Sequence, residues 1–473
     1  MSDPLRLTLR WVAEAVGGAL RRADPLREVG DVVIDSRIVQ AGDLFVALRG
    51  ARYDAHDFVE QAFERGAIGA IVEQGFGASA SVEADRATGR GLIEVVDTMT
   101  ALQDMARAVR RASGTRVVAI TGSAGKTTTK EVVAELLSGR FRVARNKGNL
   151  NNHIGLPLSL LQLRDRPDVA VMELGMNHAG EISTLVGIAE PETRVWTNVG
   201  DAHIGFFSST DAIADAKAEI LERADPGCLL VCNADDPRIT ARVGGFTGRI
   251  VTFGTSSGAM VRAVDIEPLG VDGMRARVVT PAGERPLRTP LVGRGNLSNV
   301  LAATAVALDF GSSLDDIMSV AERLQAADRR GAVRRLRGGV VMIDDSYNSS
   351  PAALARALET IAADARAVRK VAVIGEMLEL GDHATALHRE AGRLAAAAGL
   401  RLLFTVGGAP ARALADAAIE AGMPASAVRH AATSALAAVE VTEAVRGGDL
   451  VLVKGSRGTR TDVVADRIVA VFA

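Results

Sequence analysis

The stretch "ITGSAGKTTTKE", Ile120 to Glu131, decides the fold class. It follows the apolar run "RVVAI" and precedes the amphipathic run "EVVAELL", so the local order is strand, tight turn, helix. A turn containing Gly122 and Gly125, with Ser123 and Ala124 between them, can point successive backbone N–H groups at an anion. The helix that follows adds its positive N-terminal end. On this reading Lys126 stands exposed and reaches the outer phosphates of a nucleotide, the Thr127 hydroxyl holds a magnesium ion, and Thr128 closes the cradle. The usual spacing places a first glycine where this chain has Ile120, so the loop is a variant. The alternative is a glycine turn capped by threonines that binds nothing, a poorer fit to Gly-Lys-Thr-Thr in this context.

Working outward, the chain has 473 residues, too many for one ordinary core, and its length suggests about three domains. Apolar residues make up 48% and support globular packing. A net charge of −2 argues against a general nucleic-acid binder, which would carry a strongly basic face. Cys228 and Cys232 in "GCLLVCNADDP" have no neighbouring cysteines or histidines to complete a zinc site, and they read as filler on a buried strand. The N-terminus lacks the apolar segment of a secretory signal, and no window approaches ~20 uninterrupted apolar residues. A reduced, cytoplasmic setting with no membrane span follows.

The pattern along the chain is α/β. "GDLFVAL", "HDFVEQAFERG" and "AIGAIV" read as strand, helix and strand of a small first module. From Arg116 the phosphate loop is followed by "DVAVMELG", "TRVWTNVG" and "GCLLVCNADD", apolar runs with helical stretches between most of them. That alternation predicts a largely parallel sheet with ligands at the carboxyl ends of its strands. The segment from about Arg249 to Pro290 adds antiparallel strands. After the basic stretch "ADRRGAVRRLRGG", the runs "GVVMIDD", "KVAVIGEM", "RLLFTVGG" and "DLVLVKGS" predict a Rossmann-like domain, and "RLAAAAGLR" a helix.

Several residues then acquire chemical readings. Glu173 ends a strand in "VAVMELGMN" and can orient magnesium or its water shell, although a lone strand-end glutamate is more often a cap or an ion-pair partner. His203 in "NVGDAHIG" follows the next strand, so Thr127, Glu173 and His203 offer three donors at one sheet edge. A histidine in a glycine turn is more often structural. Lys217 in "AIADAKAEI" sits on a helix among small and apolar neighbours; a helical lysine is normally solvated, but an inward one would need neutralising or modification. "NKGNLNNHIG" is rich in side-chain amides suited to sugar or phosphate, or equally to Asx turns. Asn296 in "GRGNLSN" falls at a helix start, where it could be only an N-cap.

Together these segments resemble the Mur ligase family. The resemblance runs through "DSRIVQAGDLFVALRG", "ITGSAGKTTTKE", "NLNNHIGLPLSLL", "MELGMNHAGEI", "AHIGFFSSTDAIADAKAEI", "DDSYNSSPAAL", "GEMLELG" and "LVKGSRGTRTD", nearly the whole chain. In that family the phosphate loop reads TGxxGKT/S, which accommodates Ile120. "MELGMN" and "DDSYN" are nearest to the member that adds D-alanyl-D-alanine to UDP-N-acetylmuramoyl-tripeptide. The DYAH-type segment and the DNPR motif of the diaminopimelate-adding member are absent where expected.

The resemblance implies a three-domain α/β protein: residues 1–111 binding the UDP-muramoyl substrate, a central P-loop domain over 112–325 binding ATP on a mostly parallel sheet, and a C-terminal Rossmann-like domain over 326–473. It implies an ATP- and Mg2+-dependent, ADP-forming ligase of peptidoglycan precursor synthesis, a monomer working through an acyl phosphate. Lys126 and Thr127 would hold the phosphates and magnesium. Glu173 and His203 would serve the metals, and Lys217 would be carbamylated. Asn296, Arg330 and Asp345 would hold the nucleotide, with Arg329 the adjacent alternative in "DRRGA". Ser36 and Arg37 match the uridine-diphosphate contacts, Asn151 and Asn152 the muramoyl contacts, and Lys454 a further substrate contact. The chain departs from the family pattern at Gly295, Ala55 and Ser350, where His, Gly and Asn are common. Closure of the third domain over the second would keep water from the intermediate.

Two competitors belong beside this reading. A GTPase-like switch would show a guanine-reading NKxD segment, but "NKGN" ends in Asn149 and lies too near the phosphate loop. Another amide ligase of the same family, taking a different amino acid or peptide, is the nearer rival.

Overall fold

The computed structural model describes residues 3–21, 23–50, 52–76 and 90–473. Contacts divide the chain into two compact units, one of Met1–Ala119, Phe141–Met176 and Glu181–Glu192, the other of Ile120–Arg140, Asn177–Gly180 and Thr193–Ala473. The architecture is three-domain α/β, with mostly parallel sheets.

In the first unit, strands β1 (Ala19–Arg21), β2 (Val32–Val33), β3 (Leu44–Val46), β4 (Gly69–Glu73) and β5 (Gly91–Val95) form a sheet of order β1-β5-β4-β3-β2. Only β1 runs antiparallel to its neighbour. Val33, Phe45, Val59, Phe63, Val72 and Leu92 pack into one core on this sheet. Helix Thr98–Ser113 follows, begun by the Asp97 carboxylate accepting from Thr100 N (2.6 Å) and ended by Gly114 in the left-handed region. Strand β6 (Arg116–Thr121) then carries the chain from the first unit into the second. Strands β7 (Val143–Arg145) and β8 (Val169–Glu173) pair in parallel within the first unit. They bring "NKGNLNNHIG" and Glu173 to one strand end.

In the second unit, β9 (Thr193–Trp196), β10 (Leu229–Asn233), β11 (Arg249–Gly254), β12 (Val261–Pro268), β13 (Met274–Thr280) and β14 (Gly283–Thr289) are neighbours in that order. The first four are parallel and the last two turn back as antiparallel hairpins, as the Val/Thr/Gly/Pro-rich segment predicts. Cys228 and Cys232 are buried free thiols at β10, and burial pushes the Cys232 thiol up to about 11.

The remaining strands are β15 (Ala332–Arg335), β16 (Val341–Asp345), β17 (Arg369–Gly375), β18 (Leu402–Val406), β19 (Val428–Ala431) and β20 (Asp449–Lys454), in the order β15-β16-β20-β17-β18-β19. All but β15 are parallel. Because β20 inserts between β16 and β17, the strand order reverses there, and ligands of such sheets bind outside the carboxyl ends at that point. Val371, Val373, Phe404, Val451, Val453 and Ile468 form its core. The basic stretch before β16, read from the sequence only as a boundary, contains the edge strand β15. The alanine-rich run is helical as far as Ala397, where helix Ala384–Ala397 ends, and Gly399 turns the chain at φ 69°.

The β12–β13 turn is joined to the C-terminal sheet domain by a charged cluster. The buried Asp364 carboxylate accepts from Val271 N (3.0 Å) and Arg366 N (2.9 Å), while Arg335 and Arg366 both pair with Asp272.

Candidate functional site

The phosphate loop is built as the sequence predicts, with β6 ending at Thr121 and helix Lys126–Ser138 starting five residues later. Gly122 (φ 149°) and Gly125 (φ 81°) adopt backbone that L side chains avoid, and a Cβ at either would collide with Thr197 Oγ1 or the Asn299 carboxamide respectively. What sets the loop's shape is the segment after β9. Asn198 Oδ1 accepts from Ala124 N (2.9 Å), its Nδ2 donates to Ala124 O (2.9 Å), and its carbonyl accepts from Ser123 N (3.0 Å). Ser123 Oγ donates to Gly200 O (3.0 Å) and accepts from Gly200 N (2.9 Å). The helix has no side-chain cap hydrogen bond, and its N-terminal end carries the partial positive charge that suits an anion. Thr127 and Thr128 are buried. Lys126 is half-buried rather than exposed, because its ammonium folds back to donate to Gly122 O at 2.8 Å.

Lys217 lies on helix Thr210–Ala218 and is only 1% exposed. Burial first, and then the charge of Lys126, hold its amine well below the ordinary lysine range. Among the described residues no hydrogen bond or ion pair reaches the Lys217 amine, and its burial is that of the inward orientation considered from the sequence.

His203 adopts left-handed backbone (φ 67°), and its Nδ1 lies 2.6 Å from Glu379 Oε2. Glu379 also has positive φ (66°), and its carbonyl accepts from Gly205 N at 3.0 Å. The His203 imidazole, opposed by burial and aided by Lys126, keeps the Glu379 carboxyl below its usual range. Gly205 and Gly381 pack so closely that a Cβ on Gly205 would sit 2.6 Å from Gly381 N. Nothing in the spacing of "GEMLELG" announces the pairing of Glu379 with His203. The two loops meet only through the fold.

In the first unit, Glu173 is buried at the end of β8, and its Oε1 accepts from Asn151 Nδ2 at 2.8 Å. Asn146 ties the loop to that strand end, accepting from Glu173 N (3.0 Å) and donating to Glu173 O (3.2 Å) and Leu150 O (2.8 Å). Asn152 has the plainer role of an Asx turn, its Oδ1 accepting from Gly155 N (2.8 Å) at the start of helix Gly155–Leu161. Ser36 is buried and donates to Gln61 Oε1 at 2.6 Å. Arg37 is exposed beside Asp35 at 2.7 Å, and its hydrogen bonds lower the Asp35 carboxyl to about 2.

Asn296 is not the N-cap of its helix. Gly293 holds that position in helix Arg294–Asp309, and Asn296 in the first turn donates to Val292 O (2.9 Å) and accepts from Asn299 Nδ2 (3.2 Å). Asn299 in turn accepts from Thr129 Oγ1 at 3.3 Å, linking this helix to the one that follows the phosphate loop. The two adjacent arginines are separated by their partners: Arg329 (φ 57°) is paired with Asp462 and Asp466, whereas the Arg330 guanidinium lies 4.0 Å from the Tyr347 ring centroid. Asp345 and Lys454, at the carboxyl ends of neighbouring strands, form a 2.6 Å ion pair, and Lys454 also donates to Asn348 O (3.0 Å).

The second unit thus gathers Lys126, Lys217, His203 and Glu379 beside a braced anion loop, and Asn296, Arg330, Asp345 and Lys454 on the helices and strand ends around it. Glu173, Asn151, Ser36 and Arg37 belong to the first unit. Asn198, Asn299, Asn146 and Glu379 were missed from the sequence; Asn198 and Asn146 sit in glycine- or amide-rich turns at strand ends, a signal that could have found them, whereas Asn299 lies within helix Arg294–Asp309 and carries no such signal.

Comparison with known proteins matches three consecutive parts of the chain to one family. The description "Mur ligase family, catalytic domain" matches residues 28–110, "Mur ligase middle domain" residues 120–307, and "Mur ligase, glutamate ligase domain" residues 329–457. The UDP-N-acetylmuramoyl-tripeptide--D-alanyl-D-alanine ligase of Bacillus subtilis (strain 168) is 32% identical over 468 residues, covering 98% of this chain and 99% of that one. The chain belongs to the Mur ligase family. The ligase of the same name from Escherichia coli (strain K12) is 34% identical to this Mur ligase over 407 residues, 85% of this chain and 86% of that one. Among solved structures, MurF from Acinetobacter baumannii has a TM-score of 0.87 at 31% identity, covering 99% of this chain and 100% of that one. MurF ligase from Thermotoga maritima, in complex with ADP, has 0.81 at 28%, covering 93% and 97%. No helix among the described residues is long and apolar enough to cross a membrane.

Proposed function

We propose that this Mur ligase joins D-alanyl-D-alanine to UDP-N-acetylmuramoyl-tripeptide with hydrolysis of ATP to ADP, in cytoplasmic peptidoglycan precursor synthesis. The observation that carries the chemistry is Lys126 and the buried Lys217 amine, held well below the ordinary lysine range, beside a braced phosphate loop; the choice of substrates rests on the full-length likeness to ligases of that name. The boundaries 1–111, 112–325 and 326–473 belong to the same proposal.

A carboxylate is a poor acyl donor because an amine cannot expel oxide from it. Attack of a carboxylate oxygen on the γ-phosphorus expels ADP and leaves an acyl phosphate. The amine of the dipeptide then attacks the carbonyl carbon, loses a proton, and the tetrahedral adduct collapses with departure of inorganic phosphate. Two anions must first approach one another, and the Lys126 ammonium at the mouth of the loop lowers that repulsion. The first-turn N–H groups and the Thr127 and Thr128 segment hold the phosphates.

Magnesium suits an oxygen donor such as the Thr127 hydroxyl, and when bound it would neutralise phosphate charge; Glu173, in the first unit, offers a carboxylate of the kind magnesium takes. His203 lends a nitrogen donor. An uncharged Lys217 amine can add to carbon dioxide, forming an N–C bond and releasing a proton, so that a buried cation site becomes a carboxylate. Asn296, Arg330 and Asp345 hold the nucleotide, Ser36 and Arg37 the uridine diphosphate, Asn151 the muramoyl portion, and Lys454 a substrate carboxylate. Asn152 supports that loop through its turn.

Phosphate release is the decisive measurement. It is expected to depend jointly on UDP-N-acetylmuramoyl-tripeptide and D-alanyl-D-alanine, and to carry oxygen label from the tripeptide carboxylate into the phosphate. Release with a single free amino acid in place of the dipeptide would move the assignment to another ligase of the family.

A further inference from the structure

Helix Pro351–Ala363 presents Ala352, Arg356 and Thr360 four residues apart, on one face. That face runs along three glycines. A Cβ on Gly200 would sit 3.6 Å from Ala352 Cβ and 3.9 Å from Ser123 Cβ of the phosphate loop. One on Gly295 would lie 3.4 Å from Arg356 Cδ and Nε, and one on Gly293 2.6 Å from Thr360 Oγ1. The helix therefore starts beside the phosphate loop and leads away from it past Gly295 and Asn296. At 1.5 Å per residue, Arg356 stands about 6 Å further along than Ala352.

Arg356 is the charged residue on this face. It is half-buried, and among the described residues no hydrogen bond or ion pair reaches its guanidinium. Burial works against its charge, while Glu359 and Asp345 favour the charge through space. A desolvated guanidinium without a protein partner is costly unless a ligand covers it. Its plane suits the flat face of an aromatic ring better than a compact ammonium would. A nucleotide whose phosphates lie at Ser123 carries its base to this distance from the loop.

We propose that Arg356 is a nucleotide-binding residue that stacks on the purine base and sets the preference for adenine nucleotides over pyrimidine ones. The proposal rests on the nucleotide reading of Asn296 and Asp345 above.

The test is direct titration of the full-length protein with ADP and with CDP, in magnesium-containing buffer, for the unaltered chain, Arg356→Ala and Arg356→Lys. Arg356→Ala is expected to weaken ADP about tenfold and CDP by less than about threefold, so that discrimination collapses. Arg356→Lys keeps the charge and the stem but lacks the plane, and is expected to behave like the alanine variant towards ADP. It also decides the matter if the alanine variant does not fold. Equal loss of both nucleotides would make Arg356 a phosphate contact and overturn base stacking. An ADP affinity unchanged within about twofold would overturn any nucleotide role. Failure of the unaltered chain to bind either nucleotide would instead sink the underlying nucleotide reading.

Discussion

Lys217 illustrates what it costs to bury a single amine. Its folded pKa lies below the ordinary value of 10.5. Between those two values the unfolded chain holds one more proton than the folded one, so stability rises with pH through that window, by about 1.4 kcal/mol per pH unit for a full proton. In carbon dioxide-free buffer Lys217→Met is expected to lose that slope, read from urea unfolding at several pH values between neutrality and the lysine range. An unchanged slope would mean that the amine is charged in the folded state. Turnover of Lys217→Ala is expected to recover in part with short carboxylic acids, since they return the missing carboxylate. The elements at this site were legible: Lys126 and Thr127 open a helix after a glycine turn and Lys217 lies on a helix, although Lys126 is half-buried where the sequence reading has it exposed. The partners were not, because Asn198 Oδ1 reaches Ala124 N across 74 positions of chain and no local spacing encodes that.

At the scale of elements, the loop after β9 and the loop after β17 meet glycine to glycine. Gly205→Ala would place a methyl group 2.6 Å from Gly381 N and 2.8 Å from Glu379 O. Neither backbone can yield without disturbing the His203–Glu379 pair. The variant is expected to lose about 1–3 kcal/mol of stability and to speed amide hydrogen exchange across residues 376–381. Gly244→Ala, where an added Cβ meets nothing within 4 Å, is the control. Exchange rates matching the control would mean that the close approach is not constraining.

Elements themselves were read with uneven success, for physical reasons. The buried parallel strands announce themselves as apolar runs, and β16, β17, β18 and β20 lie where "GVVMIDD", "KVAVIGEM", "RLLFTVGG" and "DLVLVKGS" place them. Strand β15 is a sheet edge with arginines on it, so it has neither an apolar run nor alternation to betray it. Asn296 reads as a cap because asparagine favours that position, yet Gly293 takes it. The glycine backbone there (φ 88°) is one that asparagine would adopt only with strain.

On the scale of the whole chain, the three α/β domains were legible from alternation and length. The joint between the β12–β13 turn and the C-terminal sheet domain was not, because it is made from Asp364, Arg366, Arg335 and Asp272, charges that look like ordinary surface in sequence. Burial alone would raise the Asp364 carboxyl, but the Val271 N–H and Arg366 outweigh it and hold it below its usual 3.8. Its contribution to stability is therefore present above that value and is lost as pH falls through the lower folded one. Asp364→Ala is expected to cost about 1–3 kcal/mol at neutral pH and to flatten the acid limb of the unfolding curve. An acid limb as steep as that of the unaltered chain would show that this carboxylate does not tie the joint.

The two thiols at β10 have a practical corollary. With Cys228 and Cys232 both sealed inside the sheet, the native chain offers a maleimide nothing to react with. A cysteine placed at Leu394, which is 41% exposed, therefore becomes the single attachment point for a dye, and the enzyme can be watched at work by fluorescence without first being stripped of its own sulfur.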